Sequence, residues 1–138
     1  MEKKFISSLS NLSGMLDFVL EKAILAGLDA KGLSHVELSV EEALVNIIMH
    51  SGIDNQGIIH IRCSITAEPQ GIEIQLYDEG IPFNPLDNPD HHQIQIKRER
   101  EEPGGYGIHL YTQYMDKIEY RRIGDNINAL TMTKYVTK

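Results

Sequence analysis

Cysteine is nearly missing from these 138 residues: Cys63 stands alone, so no disulfide framework can form within the chain, and a reducing compartment suits it. Long apolar runs are missing as well, and none approaches the roughly 20 residues that a membrane-spanning helix needs. The opening MEKKFISSL has neither the apolar centre nor the cleavage site of a signal peptide, and a cytosolic protein off the membrane is expected. There is no excess of basic charge. Thirteen Lys and Arg face twenty Asp and Glu, giving a net charge of -7, whereas a nucleic-acid surface is normally basic. Internal repeats and low-complexity tracts are absent. What is present is a globular composition, 41% hydrophobic and 24% charged, long enough for one good core and too short for two ordinary domains. A single domain over residues 1–138 is expected.

The chain reads as a mixed α/β order. After a short extended start, SNLSGMLDFVLEKAILAGL spaces Leu12, Met15, Leu16, Val19 and Ala23 as one face of an amphipathic helix that stops near Gly27. A second helix is expected to open near Ser34, where Ser34 and Glu37 have the spacing of a capping box, and to run to about Ser51. Two strands, GIIHIRCSITA and GIEIQLYDE, flank the turn signal EPQG. Cys63 shares strand parity with Ile59, Ile61 and Ile65, which fits a core thiol better than a nucleophile. Residues 84 to 103 are polar, hold three of the five prolines and show no period, so a long loop is expected there. Its KREREE run is either a solvated segment or a phosphate-facing one using Lys97, Arg98 or Arg100. A glycine cluster, a helix IHLYTQYMD and two strands, KIEYRRIG and NALTMTKYV, joined through GDN, complete the chain.

Three constellations could carry chemistry. In the second helix, Val36, Val40, Leu44 and Ile47 form one apolar stripe, while Glu42, Asn46 and His50 form a second about 120° away. That second stripe is either a polar flank in water or, with Val45, Ile48 and Met49 around it, the wall of a partly closed cavity. An asparagine carbonyl suits a hard cation such as magnesium, and a glutamate one turn away could take a proton from an attacking hydroxyl. Zinc is less suited, because the row offers one His and no Cys.

In the second constellation, Ile72, Ile74, Leu76 and Asp78 share one strand face, so a carboxylate ends a row of core residues. It is either part of a surface Asp-Glu-Gly turn or a buried acceptor for an exocyclic amine such as adenine's, with Gly80 letting backbone approach a flat ligand. In the third, Gly104, Gly105 and Gly107 precede a helix, as a hinge or cap or as a phosphate cradle of bare amides. The spacing matches neither the Walker loop nor the Rossmann fingerprint.

Taken in order, EALVNIIMH, DEGIPFNP, GGYGIHL, YMDKIEY and NALTM resemble the Bergerat-fold ATPases shared by gyrase, histidine kinases and mismatch-repair proteins, and within them the small anti-sigma factor serine/threonine kinases. The resemblance covers nearly the whole chain. It implies an α/β two-layer sandwich, with a mixed, mostly antiparallel sheet and helices on one face, binding ATP with Mg2+. Glu42 would be the general base and Asn46 the magnesium ligand. Asp78 would recognise the adenine amine beside Gly80. Gly104, Gly105, Tyr106 and Gly107 would meet the nucleotide behind a lid over about 84–104, His50 would support the site, and Asn128 would replace the hydroxyl residue that relatives use beside adenine.

The resemblance further implies a homodimer that binds a sigma factor and phosphorylates a serine on a small STAS-type antagonist. Gly80 is followed by IPFNP rather than by a second close glycine, which resembles a subgroup of bacterial ATP-binding proteins associated with phosphatase-linked regulation. The alternative function is a nucleotide-gated regulatory binding module without significant kinase activity.

Overall fold

The computed structural model describes residues 1–50, 57–82 and 112–137, with His50 placed by its backbone alone. Along the chain come β1 (Glu2–Ile6), a 3-10 turn (Leu9–Asn11), α1 (Leu12–Leu25), α2 (Ala30–His50), β2 (Ile58–Ala67), β3 (Gln70–Asp78), β4 (Lys117–Ile123) and β5 (Ile127–Tyr135). The expected loop over 84–103, the glycine cluster and most of the expected helix IHLYTQYMD lie outside the described residues; within them, 112–114 form a helical turn.

The 3-10 turn before α1 starts on Ser8, whose Oγ accepts from Ser10 N at 3.3 Å. Met15, Val19 and Ala23 of α1 are fully buried, at the spacing the sequence showed. The helix ends where Gly27 takes a left-handed φ of 96°. There the Gln70 side-chain amide donates to the Ala26 carbonyl at 2.8 Å, tying the helix end to the first residue of β3.

α2 begins one turn earlier than expected. Asp29, not Ser34, caps it: Asp29 Oδ1 accepts from Gly32 N at 2.8 Å, which satisfies a first-turn amide and sets a negative charge against the positive helix end. Ser34 and Glu37 therefore lie inside the helix. Gly32 costs about 1 kcal/mol of helix propensity, and this is offset because the helix it belongs to buries Val36, Val40, Ala43, Leu44, Ile47 and Ile48.

The strands form one five-stranded sheet in the order β1-β2-β3-β5-β4. Every pairing among the described residues is antiparallel, including β3 with β5 and β4 with β5. Register places Ile61 opposite Leu76, and Leu76 opposite Leu130, so each strand turns its apolar parity to the same side. Ile59, Ile61, Cys63, Ile72, Ile74, Leu76, Leu130 and Met132 make that face, and Met15, Val19, Val36, Val40 and Leu44 of the helices share the core with it. The fold is the expected two-layer α/β sandwich. Cys63 is 1% exposed, and burial pushes its thiol up to about 11, so it is a core group rather than a nucleophile. Ile65, of the same parity, is 44% exposed near the β2–β3 turn.

Candidate functional site

Asp78 is the last residue of β3 and continues the row Ile72, Ile74 and Leu76 into the interior, where it is 4% exposed. A carboxylate so buried must find donors. Gly80 N donates to Asp78 Oδ1 at 2.8 Å, bending the chain back just after the strand. Asn128, directly opposite in the β3–β5 register, donates from Nδ2 to the same oxygen at 3.1 Å. Burial raises the Asp78 carboxyl above its ordinary value, although the Asn128 and Gly80 hydrogen bonds and the nearby Arg122 charge pull it down.

Asn128 is itself enclosed, at 5% exposed. Besides Asp78, its Nδ2 donates to the Ile81 carbonyl at 2.8 Å. Its Oδ1 accepts from the Tyr120 hydroxyl at 2.5 Å and from Arg122 Nη1 at 3.0 Å. Arg122 also donates to the carbonyls of Gly80, at 2.8 Å, and Asp125, at 2.6 Å. One guanidinium thus joins the β4–β5 hairpin to the turn that follows Asp78. Tyr120 and Arg122 were not singled out in the sequence. Their signal was parity: both alternate along KIEYRRI with exposed neighbours, but only the register shows that they converge on Asn128.

Glu42 and Asn46 lie one turn apart on α2, well round the helix from its core stripe, and both are half-buried. Burial raises the Glu42 carboxyl, and the adjacent Glu41 adds to the shift. The expected wall around them is only partly there. Ile48 is 2% exposed and Val45 is half-buried, but Met49 is 58% exposed, because it projects about 140° from Leu44, away from the core. The structure therefore brings Asp78, Gly80 and Asn128 together at the end of β3 and sets Glu42 and Asn46 on one side of α2. The His50 side chain, Gly104, Gly105, Tyr106, Gly107, Lys97, Arg98 and Arg100 lie outside the described residues. Beside this site, Lys4, Ile58, His60, Arg62 and Tyr77 line a cavity of about 510 Å³ that Asp78 and Glu79 also border.

One family model, the histidine kinase-like ATPase domain, matches residues 5–134 of the chain. The chain belongs to the histidine kinase-like ATPase family. ATP binding comes with that membership.

Among related proteins, this family member is 28% identical over 136 residues to an anti-sigma F factor of Caldanaerobacter subterraneus subsp. tengcongensis, covering 99% of this chain and 93% of that protein. It is 27% identical over 106 residues to an anti-sigma F factor of Bacillus licheniformis, covering 77% of this chain and 71% of that one. Among solved structures, the histidine kinase domain of the blue-light activated histidine kinase from Erythrobacter litoralis EL346 superposes with a TM-score of 0.57 at 15% identity. That superposition covers 89% of this chain and 64% of the other, and it shows a shared fold. Among the described residues, no helix is long and apolar enough to cross a membrane.

Proposed function

We propose that this ATPase-family chain is an ATP:protein serine/threonine kinase that works as an anti-sigma-type, partner-switching regulator. It transfers a phosphoryl group from ATP to a serine of a small STAS-type antagonist and, as a homodimer, holds a sigma factor. The observation that carries this reading is Glu42, made proton-avid by burial and set one turn before Asn46, in a chain alignable over 99% of its length with an anti-sigma F factor.

In this reading Asp78 accepts the exocyclic amine of adenine, with the Gly80 turn beside the base. The half-buried, uncharged Asn46 fits a magnesium ion whose other ligands are phosphate oxygens and water, and that ion would supply charge neutralisation at the phosphates. Glu42 accepts the serine hydroxyl proton as that oxygen bonds to the γ-phosphorus, the bond to the bridging oxygen breaks and ADP is released. His50 would steady the end of the helix, while Gly104, Gly105, Tyr106 and Gly107 would hold the phosphates beneath a lid over about 84–104.

The deciding assay mixes the purified chain, magnesium ATP and a purified STAS-type antagonist of the same organism, and follows the antagonist by intact mass and serine mapping. One added phosphoryl group on a serine is expected. Nucleotide-dependent antagonist binding without that mass gain would leave a nucleotide-gated regulatory binding module instead. Absence of both would overturn the regulatory reading.

A further inference from the structure

The Asn128 side chain has four hydrogen-bonding positions, two donors on Nδ2 and two lone pairs on Oδ1. Protein groups occupy all four: Asp78 Oδ1 and the Ile81 carbonyl accept from Nδ2, while Tyr120 and Arg122 donate to Oδ1. A guanidinium can only donate, so the atom it meets must be Oδ1, and the amide is thereby oriented without ambiguity. Turned over, the amide would aim Nδ2 at Arg122 and Oδ1 at a buried carboxylate, two repulsions replacing two bonds. Asn128 thus has no hydrogen-bonding capacity left for a ligand, and any effect it has on one runs through Asp78.

We propose that Tyr120 and Arg122 are positioning residues for base selection: by fixing the amide of Asn128 they hold Asp78 Oδ1 between two protein donors, leaving Oδ2 as a fixed acceptor that favours a 6-amino purine over a 6-oxo purine. The inference rests on the reading of Asp78 as the group that meets the base. It has a chemical corollary. Because Gly80 N and Asn128 Nδ2 both demand an acceptor at Oδ1, an amide replacing the Asp78 carboxylate must place its own oxygen there. Its NH2 then stands where Oδ2 was, and an acceptor site for an amine becomes a donor site for a carbonyl.

The test measures dissociation constants of ADP and inosine diphosphate, which carries an oxygen in place of the amine, by calorimetry on the purified chain and its variants. The native protein should prefer ADP about tenfold or more. Asp78→Asn should reverse the preference. Tyr120→Phe, which removes one hydroxyl, and Arg122→Met should each shrink the ADP preference by about threefold to tenfold, whereas loss of general pocket integrity would weaken both nucleotides in equal proportion. If Asp78→Asn leaves the ratio at the native value, Asp78 does not meet the base and the underlying reading fails. If Asp78→Asn reverses the ratio while Tyr120→Phe and Arg122→Met leave it native, the underlying reading stands and the positioning role is overturned. Should Arg122→Met fail to fold, Tyr120→Phe decides alone, since it keeps the ring and its packing.

Discussion

The imidazole of His35 lies flat against the ring of Tyr114, with centroids 4.5 Å apart and planes 12° from parallel. Lys134 Nζ donates to the Tyr114 carbonyl at 2.6 Å, so α2, the helical turn at 112–114 and β5 meet at this stack. Burial first, then Lys134 and Lys31, hold the imidazole below its ordinary pKa of 6.5, while Asp116 and Asp29 pull the other way. Between the lowered folded value and 6.5 the unfolded chain binds more protons, so stability falls as pH drops through that window. His35→Phe keeps a stacking ring and removes the titration. Melting temperatures across the window should therefore fall more steeply with acidification for the native protein than for the variant, and parallel slopes would exclude the contribution.

Asp78→Asn should weaken ATP and ADP alike, whereas Asn46→Ala should mainly remove the part of ATP affinity that depends on magnesium. Each effect should be about tenfold, the usual worth of one lost polar contact to a charged or metal-bound group. Calorimetry with and without the metal separates them. Equal losses for Asn46→Ala in both conditions would remove its metal role.

Glu42→Gln keeps the size of the side chain and removes the proton acceptor. Nucleotide affinity should stay within about threefold, while antagonist phosphorylation drops by about 10²–10⁴. Abolished ATP binding or an unfolded variant would instead make Glu42 a structural group of α2.

Gly71 sits where β3 crosses close to β5. A Cβ there would overlap the Lys134 carbonyl oxygen and stand 2.9 Å from the Tyr135 Cα. Gly71→Ala should cost about 1–3 kcal/mol, read by chemical denaturation, because backbone rather than a flexible side-chain tip must yield. An unchanged midpoint would show that the β3–β5 pair can slide apart at that end.

Periodicity made most of the fold legible. Val36, Val40, Leu44 and Ile47 announced the buried side of α2, and Ile72, Ile74, Leu76 and Asp78 announced both a core row and the carboxylate that ends it. The start of α2 lies earlier than the sequence suggests because the capping-box spacing of Ser34 and Glu37 mimics a beginning, whereas the cap itself is the Asp29 contact with the Gly32 amide. The candidate site was half legible for a different reason. Asp78 stood out through its strand pattern and Asn128 through the family resemblance, yet Tyr120 and Arg122 matter only because β4 pairs with β5 in a register that sets Arg122 opposite Asn128. Registers are long-range choices, and no local window of sequence contains them.

Among the described residues, β1 pairs only with β2, and β4 only with β5, so these two strands form the lateral borders of the sheet. Such borders invite a neighbouring molecule to add a strand of its own. Here they are written EKKFI and KIEYRRI, one short and lysine-rich, the other bearing four charged residues in seven. A strand arriving at either would have to strip water from those charges and meet lysines or arginines at close range. The charge that looks like mere surface decoration in the sequence keeps a sheet built to be joined from being extended.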